Sequence, residues 1–139
     1  MLSLKAKVTL ERLAKTIKTN IEWTQQERQK SLELSRSDSS IQKTVYEGHV
    51  EALTEIEKKL SAAGAKADQL VSRRDATINE AIAVLVQLNT DFEQNKNEMD
   101  KIYQLDMNNW RIQGKTEMYQ KIITTVSHLL NDLKSANAA

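Results

Sequence analysis

The sequence predicts an all-α fold: antiparallel helical hairpins assembled into an elongated helical bundle or coiled coil. Three observations carry that expectation. The 139 residues contain no proline, so nothing in the chain is obliged to break a long helix. Apolar positions recur at intervals of three and four over most of the length, which is the period of one helix face. Two of the three glycines, Gly48 and Gly114, fall on those apolar stripes, not in turns. Glycine inside a helix costs roughly 1 kcal/mol against alanine, so both positions ask for a reason.

The first helix is expected from about Leu4 to Leu34. Its face is Leu10, Ala14, Ile17, Ile21 and Thr24, widened by Leu4 and Leu13 and closed by Leu32 and Leu34. The stretch "SRSDSS", Ser35 to Ser40, ends it, because short hydroxyl and carboxylate side chains compete for backbone hydrogen bonds. Ser39 with Gln42 three residues later fits a capping box, which opens a second helix at about 39–61. Its stripe is Ile41, Val45, Gly48, Ala52, Ile56 and Leu60, with Tyr46, Val50 and Leu53 along a second edge.

"SAAGAKAD", Ser61 to Asp68, reads as the next break, with residues 63–67 as a linker. Gly64 would end the second helix and Asp68 would cap the third, although the alanines around Gly64 leave open a helix that merely weakens there. The third helix, about 68–105, carries Val71, Arg74, Ile78, Ile82, Leu85, Leu88, Phe92, Asn95, Met99 and Ile102. "QLDMNNW" then clusters three capping-type residues and predicts a turn near Met107 to Asn109, followed by a fourth helix at about 109–134. The alternative is one continuous helix from about Asp68 to Lys134, roughly 100 Å long. The domain reading is a first hairpin over 1–62 and a second over 68–139.

An offset of 66 residues superposes the two glycines. Ile41 then falls on Met107, Ala52 on Met118, Ile56 on Ile122, Leu60 on Val126 and Glu51 on Glu117. This pattern suggests two copies of a long-helix/short-helix hairpin stacked into a four-helix bundle. A glycine on the contact face would let two backbones approach closely.

The chemistry-bearing residues are sparse. Net charge is +1, which demands neither nucleic acid nor an anionic membrane as partner. There is no cysteine, hence no disulfide, thiolate metal site or cysteine nucleophile. His49 and His128 stand in neither HExxH nor ExxH patterns. "DFEQNKNEMDKI" fails as a calcium loop, with Lys96 where glycine is needed and Ile102 where glutamate is needed. No glycine-rich phosphate loop occurs, and "SIQK" matches a β-lactamase-type SxxK only as an isolated four-residue string. No catalytic residue, cofactor or metal is therefore expected, and the chain is not expected to be an enzyme. No apolar run is long enough to span a bilayer, and the charges threaded through the first 18 residues do not suit a secretory signal. A cytoplasmic location is expected.

Three groups of residues remain as candidates. Trp23, Trp110 and Tyr46 are candidate partner contacts, because large aromatic side chains are enriched among interface hot spots. Lys5, Lys7, Arg12, Lys15 and Lys18 form a candidate basic patch in the first helix, with only Glu11 among them. Gly48 and Gly114 are candidate helix-crossing points. Glu47, Glu51 and Glu55 line one helix edge and read as a solvated face relieved by Lys43, Lys58 and Lys59. In size and composition the chain resembles small helical accessory proteins of bacteria and their phages, without a motif that fixes a family. The expected function is a non-catalytic helical protein-interaction module that self-associates. A self-assembling structural coiled coil is the alternative, and nucleic-acid or membrane-surface binding through the basic first helix a second alternative.

Overall fold

A computed structural model describes residues 4–138. Residues 1–3 and 139, at the outer limits of the two expected hairpins, lie outside the described residues. Four helices follow in order: α1 Leu4–Ser37, α2 Ile41–Ser72, α3 Ile78–Leu105 and α4 Trp110–Ala138. They form an all-α bundle of two hairpins, α1 with α2 and α3 with α4.

Local chemistry fixes the three connections. Ser40 caps α2, its hydroxyl accepting from the Gln42 backbone N–H at 3.1 Å, and Asp38 in turn accepts from the Ser40 N–H at 2.7 Å. The cap is thus one residue later than Ser39. Thr77 and Glu80 close a full capping box on α3: the Glu80 N–H donates to the Thr77 hydroxyl at 3.2 Å, and the Thr77 N–H to the Glu80 carboxylate at 2.8 Å. Asn109 receives the Ile112 N–H on its side-chain oxygen at 3.2 Å at the start of α4. The chain therefore turns at residues 106–109 and does not run on as one helix.

The second connection corrects the expected boundary. Residues 63–67 do not form a linker; α2 continues through them to Ser72, and Asp68 is inside the helix. Ala63, Ala67 and Leu70 are buried and carry the stripe on from Leu60 at steps of three and four. Alanine is the best helix former, and Gly64 lies against Ile17 and Ile21 of α1, so this stretch is a close helix contact. The break falls at residues 73–77, which puts Val71 in α2 and Arg74 in the connection, outside α3.

α1 keeps its stripe in its second half, but with small hydroxyl residues where leucines were expected. Beyond Thr24 the buried positions are Ser31 and Ser35, while Leu34 is exposed and Leu32 half-buried. Small hydroxyl side chains allow α1 to approach α2 closely here. Ser35 settles its hydroxyl on the Leu32 carbonyl at 2.8 Å, and Arg28 pairs with Glu57 of α2 at 3.1 Å.

α2 and α4 form the centre. Paired residues rise together along both, Glu47 with Arg111 and Glu55 with Lys115, so the two helices run parallel. α1 flanks α2 and α3 flanks α4, with little contact between the first helix and the second hairpin. The core runs through Leu10, Leu13 and Ile17 of α1, Leu53, Ile56 and Leu60 of α2, Leu85, Leu88 and Phe92 of α3, and Met118, Ile122 and Val126 of α4. Each such side chain contributes roughly 1.5–3 kcal/mol when fully buried.

Candidate functional site: the glycine crossing and the exposed end beside it

Gly48 and Gly114 meet at one crossing. A Cβ added to Gly48 would overlap the carbonyl oxygen of Arg111, and would lie 3.0 Å from its carbonyl carbon and 3.1 Å from the Lys115 nitrogen. A Cβ added to Gly114 would overlap the carbonyl oxygen of Val45, 3.0 Å from its carbonyl carbon. Each glycine thus faces the residue three positions before the other. The relation is reciprocal, and it is the local two-fold symmetry that the 66-residue offset implies. Such backbone approach also brings Cα–H groups toward carbonyl oxygens, a weak favourable contact.

The flanks of the crossing are ionic. "GHVE" and "GKTE" each place a basic residue one step after the glycine and a glutamate three steps after it. On one side His49 Nε2 lies 2.7 Å from Glu117. On the other, Arg111 reaches both Glu47, at 2.9 Å, and Glu51, while Lys115 reaches Glu55 at 3.2 Å. The acidic row of α2 is therefore matched by α4, not by Lys43, Lys58 and Lys59. Its hydrogen bond to Glu51 is the main cause holding the Arg111 guanidinium above its ordinary pKa. These pairs are partly solvated, so each contributes about 1 kcal/mol or less and chiefly sets register.

Tyr119 completes the junction from beneath. It is fully buried, stacks edge-on against Phe92 with ring centroids 6.0 Å apart, and donates its hydroxyl to Glu55 at 2.6 Å. Asn95 donates its side-chain N–H to the Tyr119 hydroxyl oxygen at 3.4 Å. Three helices thus converge on one phenol. Burial, reinforced by the Glu55 charge, pushes its pKa well above the ordinary tyrosine value.

Because α2 and α4 are parallel, both hairpin turns lie at the same end of the bundle. Among polar residues such as Arg36, Lys43 and Asp106, that end exposes large apolar side chains: Leu105 is 90% exposed, Met107 67% and Ile41 58%, and Ile102 and Leu34 are exposed in the last turns of α3 and α1. Ile41 and Met107 each precede their glycine by seven residues, Ile41 as the first residue of α2 and Met107 in the turn before α4. Trp110, the first residue of α4, and Tyr46, in the second turn of α2, are both half-buried near this end. Trp23 lies elsewhere, half-buried on α1 and packed against the core.

The basic patch is remote from this end. Lys5, Lys7, Arg12, Lys15 and Lys18 all lie exposed on the first half of α1, and none is ion-paired among the described residues. Among the described residues no cluster of three or more His, Cys, Asp or Glu is placed to hold a metal ion, and no helix is long and apolar enough to cross a membrane. Neither Tyr119 nor the exposed Leu105 stands out in the sequence. Tyr119 with Ile123 forms an i, i+4 edge beside the Met118 stripe, which is the signal for its burial. Leu105 falls off the α3 stripe, which is the signal for its exposure. No protein-family model, no curated protein and no solved structure matches this chain.

Proposed function

We propose that this chain is a non-catalytic helical interaction module that binds a protein partner through the end carrying its two hairpin turns. One observation carries the reading. Five large apolar side chains, Leu34, Ile41, Ile102, Leu105 and Met107, are exposed together at that end. Single exposed apolar residues are ordinary on a soluble surface, whereas five large ones placed at one end of a bundle suit a contact region. The end is formed by both hairpins, and the glycine crossing just behind it holds them in fixed register. The partner surface would accordingly read both turns at once, with Trp110 and Tyr46 as the aromatic rim.

The test is capture of partners from the source cell by the wild-type chain and by the double variant Leu105→Ser/Met107→Ser, compared quantitatively. Both residues are solvent-exposed, so the variant should keep the wild-type melting temperature. The reading expects a partner recovered in stoichiometric amount by the wild type and depleted at least about tenfold by the variant, the loss that truncating hot-spot contacts produces. Equal recovery by both chains would contradict it. Light scattering of the same two proteins tells whether the partner is a second copy of this chain, since the variant would then turn a dimer into a monomer.

A further inference from the structure

The other end of the molecule carries a second surface, of different chemistry. Along the outer face of α1, Leu4, Val8, Glu11 and Lys15 follow one another at steps of four, three and four. Leu4 is 79% and Val8 43% exposed, on the side away from the buried Leu10, Leu13 and Ile17. Lys5 and Arg12, seven residues apart, flank that line on one side, and Lys7 and Lys18, eleven apart, flank it on the other. All five cations are exposed and unpaired among the described residues. The first turn of α1 contains no acidic residue. Lys5 and Lys7 thus stand in or next to a first turn that holds no carboxylate, an arrangement the helix dipole disfavours, and Glu11 is the one anion among the five cations.

From this arrangement we infer that the first half of α1 is a docking face for an anionic phospholipid surface, with Leu4 and Val8 entering the headgroup boundary and the cations spread around them contacting lipid phosphates and carboxylates. Exposed apolar residues flanked by five cations against a single carboxylate, Glu11, on one helix face suit a helix that lies in the membrane interface. Anionic headgroups would also remove the repulsion that Lys5 and Lys7 feel from the helix terminus. A nucleic-acid backbone would satisfy the cations but leaves Leu4 and Val8 with nothing apolar to contact. The nearest large aromatic, Trp23, packs against the core and is not free to stack on a base. The surface lies at the opposite end of α1 from the hairpin turns, so it stands or falls independently of the partner site proposed there.

The experiment is co-sedimentation of the full chain with phosphatidylcholine vesicles, with and without about 30% phosphatidylserine, alongside binding to a 20-base-pair DNA duplex at the same salt. The anionic vesicles should bind more than about tenfold better than the neutral ones, since each cation near such a surface contributes roughly fivefold. Lys5→Gln/Lys7→Gln/Arg12→Gln should abolish that preference. Leu4→Ser/Val8→Ser should weaken vesicle binding by about tenfold or more, from lost apolar burial, and leave any DNA affinity unchanged. All five substituted positions are exposed, and circular dichroism on each variant confirms that the bundle is intact. The inference is overturned if the anionic vesicles do not sediment the protein, if Leu4→Ser/Val8→Ser binds them as well as wild type, or if duplex DNA is bound as tightly as the vesicles.

Discussion

Replacing Gly48 or Gly114 with alanine sets two effects against each other at one atom. Alanine raises helix propensity by about 1 kcal/mol over glycine. The new methyl, however, meets backbone: the Arg111 carbonyl group at Gly48, and the Val45 carbonyl group at Gly114. A side chain could rotate away from such an overlap, but a helix backbone cannot, so α2 and α4 must separate. Overpacking of this kind costs typically 1–3 kcal/mol, and a backbone obstacle puts it at about 3. The net loss is then about 2 kcal/mol for each substitution. For a chain of this length that corresponds to a fall in melting temperature of roughly 6–10 °C. The double variant should lose less than the sum, because both methyls are relieved by the same helix separation. Gly64→Ala is the internal control. Its methyl would meet only the side-chain ends of Ile17, at 3.3 Å, and Ile21, at 3.8 Å, so its melting temperature should stay within about 3 °C of wild type. Thermal melts followed by circular dichroism measure all four variants. A rise in stability for either Gly48→Ala or Gly114→Ala would refute the close crossing.

Other expected outcomes follow from individual contacts. Tyr119→Phe removes a buried hydroxyl bonded to a carboxylate and should cost about 1–2 kcal/mol in urea unfolding. The pH dependence has a definite sign. The folded phenol ionises above the unfolded value of about 10, so above that pH the unfolded chain binds fewer protons and stability falls as pH rises. Wild type should therefore lose stability above about pH 10 more steeply than Tyr119→Phe, and the Tyr119 step in the 295 nm absorbance should coincide with unfolding. Thr77→Ala breaks the capping box on α3 and should lower stability by about 1 kcal/mol, read from the urea midpoint. Glu47→Gln/Glu51→Gln leaves Arg111 partly solvated and should change stability by less than about 1 kcal/mol, an effect that shrinks further at high salt.

The apolar periodicity made the helices legible, and the shared offset of Gly48 and Gly114 pointed to two related hairpins before any contact was known. What misled was composition. "SAAGAKAD" looks like a connection because Gly64 and Asp68 favour caps, yet Ala63, Ala67 and Gly64 serve a helix pairing that hydropathy does not register. The real break, residues 73–77, was masked because Arg74 and Ile78 happen to keep helical spacing; the T-x-x-E of Thr77 and Glu80 was the signal that marks it. The burial of Ser31 and Ser35 in place of Leu32 and Leu34 has the same origin, since close packing selects small side chains over apolar ones. The pairing of Glu47, Glu51 and Glu55 with α4 depends on topology, because partners some 60 residues away are invisible until the hairpins are stacked. The exposed end is also a product of topology: Ile41 and Leu105 come to lie at one end of the bundle only because α2 and α4 run parallel.

That parallel arrangement underlies both the crossing and the proposed contact surface, and the cysteine-free chain permits a clean distance measurement of it. Spin labels on cysteines introduced at the exposed Gln42 and Gln104 report the separation of the two hairpin turns by pulsed electron resonance. Turns at one end of the bundle should give a single distance below roughly 30 Å, whereas a second hairpin packed the other way round would place them at opposite ends of α2, about 48 Å apart by the helix rise. A distribution centred near the longer value would contradict the arrangement and the contact surface built on it.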